Sequence, residues 1–174
     1  MGQGVNQSAM EETFAKLTNR SVVPGSNKSL LDVGYAFANL DDGWQACGQG
    51  VNGGFHDKDG VPLMDPKKFP DVSAMTAKAH SLGLKPGFYV NNYICGGGDC
   101  SGGVGGPQYE RVMNSTAKWL KSNGFKYLKV DSGGCYNDMQ LWHDLLAAEG
   151  ADMTLENCAS SLSLSLSLSL SLSL

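Results

Sequence analysis

Two hydrophobic periods take turns along this chain. Met10, Phe14 and Leu17 fall at i, i+4 and i+7, the spacing of a helix with one apolar face. Ser8 and Glu11 form a capping box before that face, which predicts a helix from Ser8 to about Thr18. Pro24-Gly25 breaks the following stretch, and residues 34–39 (GYAFAN) read as a strand that ends at Leu40-Asp41-Asp42. Asp71 is the next N-cap candidate, Val72, Met75, Ala79 and Leu82 share a helical face, and Gly83 supplies the stop. Residues 84–90 (LKPGFYV) predict a strand whose bounds Pro86-Gly87 leave open. Pro107 suits the first turn of a third helix, with Val112, Trp119 and Leu120 on its buried face and Gly124 at its end. Tyr127-Leu128-Lys129-Val130-Asp131 then reads as a buried strand that finishes on a carboxylate, with Ser132-Gly133-Gly134 turning behind it. Met139, Trp142, Leu145 and Leu146 predict a last helix, which Gly150 stops, and Met153-Thr154-Leu155 opens another strand.

Helix and strand thus alternate four times, the signature of parallel strands joined by right-handed crossovers. Polar residues follow every strand: Asp41-Asp42, Asn91-Asn92, Asp131 and Glu156-Asn157. Such ends converge in a parallel barrel however far apart they are in sequence. Long loops leave the strands on this side, whereas Gly83 and Gly124-Phe125 lead into strands tersely. The asymmetry predicts a partial (β/α)8 barrel with its site at the carboxyl face; an open doubly wound sheet is the alternative. Lys129, two residues before Asp131, lies on the same side of its strand, where it can hold a substrate oxygen beside a reacting carboxylate.

Residues 1–158 read as one partial (β/α) barrel domain, and residues 159–174 as a low-complexity tail of Ser-Leu alternation. A CT dinucleotide repeat encodes that alternation, so the tail is expected to be a translated microsatellite rather than a functional segment. The 174 residues allow one domain with a sizeable core, and 41% hydrophobic against 17% charged residues make it globular. A net charge of −4 offers no basic stripe for nucleic acid. No run has the length and apolarity of a membrane span, and the amino terminus as written has no signal peptide. Five cysteines and four N-x-S/T sequons, at Asn6, Asn19, Asn27 and Asn114, suit a secreted protein.

Adjacent Asp41 and Asp42 repel unless something shares their charge, so at a strand end they ask for a polyol or a cation, or form a solvated turn. Gly48-x-Gly50-x-x-Gly53 matches a dinucleotide fingerprint only in letters, because more loop follows it instead of a helix. Cys95, Cys100 and Cys135 could bind metal, but His56, His80 and His143 lack ligand spacing. A disulfide from the Cys95–Cys100 loop to Cys135 is the preferred expectation, and neither metal nor cofactor is predicted. A serine-hydrolase elbow is not found in the sequence.

Three blocks, "GYAFANLDDGWQ", "DPKKFPDVSAMTAKAHSLGLKPGFYV" and "WLKSNGFKYLKVD", occur in an order that resembles the catalytic barrel of glycoside hydrolase family 27. That family comprises α-galactosidases and α-N-acetylgalactosaminidases, and the resemblance runs from about Val5 to Cys158. It implies a (β/α)8 barrel and a retaining double displacement by two aspartates. Carried over, Asp131 is the nucleophile, Lys129 bonds galactose hydroxyls, Asp41 and Asp42 grip O4 and O6, and Tyr89 lines the sugar pocket. The implied substrate is an α-galactoside oligosaccharide or glycoconjugate, with α-N-acetylgalactosaminides as the alternative. The implied compartment is secreted, lysosomal or vacuolar.

Departures from the family pattern shape the remaining expectations. Gly43 stands where the family usually has a cysteine, and Cys135 lies further behind the nucleophile than the family's cysteine does. The resemblance covers strands two to five of eight. The first strand would precede Val5, and the acid/base aspartate would follow Cys158. Retaining hydrolysis needs two carboxyls about 5–5.5 Å apart, so the chain as written is expected to be inactive. A sugar-binding remnant and a read-through product are the alternatives.

Overall fold

A computed structural model describes residues 4–91, 95, 107–131 and 138–158. Four helices, α1 (Gln7–Thr18), α2 (Val72–Ser81), α3 (Pro107–Ser122) and α4 (Met139–Ala148), alternate with four strands. The strands are β1 (Phe37–Asn39), β2 (Lys85–Val90), β3 (Tyr127–Asp131) and β4 (Thr154–Cys158). Single turns of 3₁₀ helix at Leu31–Val33 and Val51–Gly53 complete the order.

The strands form one parallel sheet in the order β1-β2-β3-β4. Each new strand joins the same edge, so right-handed crossovers carry every helix to one face. A doubly wound sheet needs a point where the strand order reverses, and these four strands contain none. The sheet is therefore a partial barrel. On its helix-facing side, Ala38, Leu40, Phe88, Val90, Leu128 and Val130 are all buried. Phe14 and Met10 of α1, Met75 and Ala79 of α2, Val112, Met113, Ala117 and Leu120 of α3, and Trp142 and Leu146 of α4 pack into the same core. The other side carries the alternate residues, among them Tyr89, Lys129 and Asp131. One-residue alternation thus separates a dry face from a polar one.

Several local expectations shift. The first helix starts at Gln7, and Asn6 rather than Ser8 caps it, its side chain accepting from the Ala9 amide at 2.8 Å. Glu11 leaves the predicted capping box to bond Gln7 and Lys78. The strand predicted over residues 34–39 shortens to Phe37–Asn39, because Leu31–Val33 coils into a 3₁₀ turn and Gly34 exits at φ 105°. Asp71 does cap α2, accepting from the Ala74 amide at 2.8 Å.

Pro86 lies inside β2, between two neighbours, where a missing N–H breaks the ladder. Its carbonyl still accepts from the Lys126 amide at 2.8 Å, which keeps β2 joined to the chain that enters β3. His80 Nε2 of α2 lies 2.6 Å from the Gly124 carbonyl and donates to it, just before β3 begins.

Candidate active site

The carboxyl ends of the strands gather the predicted residues. Asp131 closes β3, and Tyr89 lies one residue before the end of β2. The Tyr89 hydroxyl donates to Asp131 Oδ2 at 2.7 Å and accepts from Asn91 Nδ2 at 3.0 Å. Burial and the bond to Asp131 both push the Tyr89 pKa far above the ordinary tyrosine range. The phenol therefore keeps its proton and is a fixed donor to the carboxylate.

Lys129 Nζ donates to Asp41 Oδ2 at 2.8 Å and lies 5.2 Å from the centroid of the Tyr89 ring. The bond to Asp41 raises the Lys129 pKa above that of a free lysine. Burial draws the Asp41 pKa upward, but the Lys129 bond and the Asp42 amide, which donates to Asp41 Oδ1 at 2.7 Å, outweigh it and leave it lowered. Both groups are therefore charged at neutral pH. Asp42 Oδ1 is buried with no hydrogen-bond partner among the described residues. A buried acceptor oxygen in that state costs free energy unless a donor arrives, so it is available to an incoming hydrogen-bond donor.

The turn that presents this acidic pair is braced from both sides. Gly43, at φ 104°, donates its amide to Gln45 Oε1 at 3.0 Å and receives Lys68 Nζ on its carbonyl at 2.8 Å. That left-handed φ favours glycine over the cysteine expected from the family pattern. Trp44 is fully buried against Phe55 and Phe88, and its Nε1 donates to the Tyr89 carbonyl at 2.8 Å. One side chain thereby ties the Asp41-Asp42 turn to the strand that carries Tyr89.

Strand register adds a residue that motif reading left without a role. Glu156 pairs with Lys129 across β3 and β4, so both share the polar face. It accepts from the Tyr127 hydroxyl and from Cys158 Sγ, the latter at 3.1 Å, and these bonds lower its pKa. Burial followed by Glu156 pushes Tyr127 up to about 12. The signal that identifies Glu156 is alternation counted back from Cys158, which pairs with Asp131.

The cysteine expectation changes. Cys95 is bonded to Cys47, 48 residues away, and not to Cys135. Cys47 follows β1 and Cys95 follows β2, and these strands are adjacent, so the loops behind them meet. Cys100, Cys135 and Asn92 lie outside the described residues. The Gly48-x-Gly50-x-x-Gly53 run is a compact turn in this same loop. A side chain at Gly50 would meet the His56 backbone nitrogen and oxygen, each at 2.5 Å, so that glycine serves close chain approach. Among the described residues, no helix is long and apolar enough to cross a membrane.

Known proteins resemble this chain in sequence and fold. The family model described as alpha galactosidase A matches residues 3–162. A probable alpha-galactosidase B of Talaromyces emersonii is 33% identical over 144 residues, which are 82% of this chain and 28% of the relative. A probable alpha-galactosidase of Dictyostelium discoideum is 31% identical over 159 residues, covering 83% of this chain and 37% of the relative. The chain thus spans between about a quarter and two fifths of the length of these curated relatives. Among solved structures, alfa-galactosidase from Saccharomyces cerevisiae superposes with a TM-score of 0.64 at 22% identity, over 89% of this chain and 32% of that one. Alpha-galactosidase I from Mortierella vinacea gives 0.61 at 24% identity, over 88% and 36%. Sequence match, strand order and barrel likeness agree: the chain belongs to the alpha galactosidase A family of glycoside hydrolase family 27.

Proposed function

We propose that the polar face of this sheet is the nucleophile side of a retaining α-galactosidase site. The observation that carries the reading is the placement of Asp131 at the end of β3, bonded to Tyr89, with Lys129 on the same face bonded to Asp41. Asp131 attacks the anomeric carbon, the bond to the leaving oxygen breaks, and a galactosyl-aspartate forms. Tyr89 holds Asp131 Oδ2 in one orientation as a neutral donor. Lys129 adds positive charge on the same face and favours the ionised nucleophile. Asp41, Asp42 and Lys129 bind hydroxyls of the sugar, with Asp42 Oδ1, which has no hydrogen-bond partner among the described residues, accepting from one of them. The acid/base carboxyl is assigned, by the family resemblance, to the barrel beyond Cys158.

Terminal α-galactosides are the substrate class that this reading favours. The relatives are described as alpha-galactosidases, and one similar structure is alfa-galactosidase from Saccharomyces cerevisiae with raffinose. A secretory compartment fits the Cys47–Cys95 disulfide and the four sequons. Saturation-transfer NMR on the chain tests the sugar assignment. Galactose is expected to bind more tightly than glucose, its C4 epimer, and Asp41→Asn and Lys129→Met are each expected to abolish the signal. Equal binding of both sugars, or none at high millimolar galactose, overturns it.

A further inference from the structure

We propose that Asn19 carries an N-linked glycan, on the side of the barrel away from the sugar site. The four sequons are identical as motifs but differ in the fold. At Asn114, inside α3, Met113, Thr116 and Ala117 are buried beside it, and Thr116 Oγ1 faces His56 Nε2 at 3.4 Å. The neighbouring Ser115 hydroxyl donates to the Asp59 carbonyl at 2.6 Å, so a loop packs onto this turn of α3 where a glycan would have to pass. At Asn27 the sequon serine, Ser29, is 3% exposed and spends its hydroxyl on Asp32. Asn6 is occupied as the cap of α1, with Oδ1 on Ala9 and Nδ2 toward the Gly4 carbonyl.

Asn19 is different. It is exposed, at the C-terminal cap of α1, with extended backbone angles. Its Oδ1 accepts from the Ser21 amide at 2.9 Å and from the Ser21 hydroxyl at 2.8 Å. Among the four sequons, only this one has its hydroxyl bonded to its own asparagine. Both donors engage Oδ1, and the turn does not use Nδ2 of this exposed residue. In the transfer, Nδ2 attacks C1 of an oligosaccharide on a lipid diphosphate. The C1–oxygen bond breaks, the lipid diphosphate leaves with the electron pair, and the amide loses one proton. Asn19 lies in the connection from α1 into β1, at the opposite end of the sheet from Asp131, so the glycan leaves the sugar-binding face open.

The proposal rests on the secretory reading above, and the test removes that dependence by supplying the compartment. The full chain is expressed in yeast behind a cleavable secretory leader, and site occupancy in the secreted fraction is read by peptide mass spectrometry after glycosidase release. Asn19 is expected to be occupied and Asn114 empty. Ser21→Ala is expected to lose the Asn19 glycan and Ser21→Thr to keep it, while all three proteins keep the same galactose affinity. An unmodified Asn19 in secreted protein, an occupied Asn114, or a Ser21→Ala protein that keeps its glycan overturns the assignment.

Discussion

At the scale of single residues, the site works by fixing charge. Tyr89 cannot ionise in the working range, so its hydroxyl gives Asp131 a permanent donor. Treating the protein with an activated galactosyl fluoride, whose leaving group needs little acid help, is expected to add one galactosyl unit at Asp131. Intact-mass and peptide mass spectrometry read the adduct, and Asp131→Asn is expected to remove it. Labelling that survives this change would reassign the nucleophile. Under the proposed sugar-site reading, the Lys129–Asp41 pair is expected to set the pH limits of binding. The folded pKa of Asp41 is lowered, so its contribution is complete above the ordinary aspartate value of about 3.9 and is lost as pH falls through the lowered value. That of Lys129 is raised, so its contribution is complete below about 10.4 and is lost as pH rises through the raised value. Galactose affinity measured by NMR titration is therefore expected to be flat from pH 5 to 9, as this window of roughly 4 to 10 implies. Asp41 is 59% exposed, and solvent screening limits what the pair adds to stability to at most about 1 kcal/mol. Its value lies in position.

At the scale of elements, the loop between β1 and α2 braces the active face through its backbone. Gly50 approaches His56 so closely that an added methyl would meet main-chain atoms at 2.5 Å. Main chain cannot rotate aside as a side-chain tip does, so Gly50→Ala is expected to cost about 1–3 kcal/mol. Thermal denaturation followed by circular dichroism reads that as a fall of roughly 2–4 °C in Tm per kcal/mol. An unchanged Tm would mean that the loop relaxes freely. Trp44 is the second brace, because it joins this loop to β2 through the Tyr89 carbonyl. The sequence identifies the loop as glycine-rich but not which glycine is essential. Gly50 sits at an ordinary negative φ of −89°, and only the approach of a residue six positions later makes a side chain intolerable there.

At the scale of the whole molecule, the Cys47–Cys95 bond joins the loops behind two adjacent strands. With a sequence separation of 48, the chain-entropy estimate puts its stabilisation at about 4 kcal/mol. Cys47→Ser, and reduction of the wild type, are each expected to lower the denaturant midpoint by a matching amount at unchanged m-value. A midpoint insensitive to reductant would show that the bond constrains little.

Helix periodicity and glycine stops in the sequence determined the alternation of helix and strand, because local spacing decides which face of each element is apolar. Strand-end carboxylates were legible for the same reason: Asp41, Asp42 and Asp131 each close a hydrophobic run. Tertiary structure alone decided the partners. Cys47 met Cys95 because β1 and β2 are neighbours in the sheet. His80 of α2 met the Gly124 carbonyl, 44 residues away, a pairing no local pattern encodes. Asn19 and Asn114 bear the same motif, and burial separates them. Pairing across the sheet depends on which strands become neighbours, a long-range outcome of packing that residue spacing within one element does not contain.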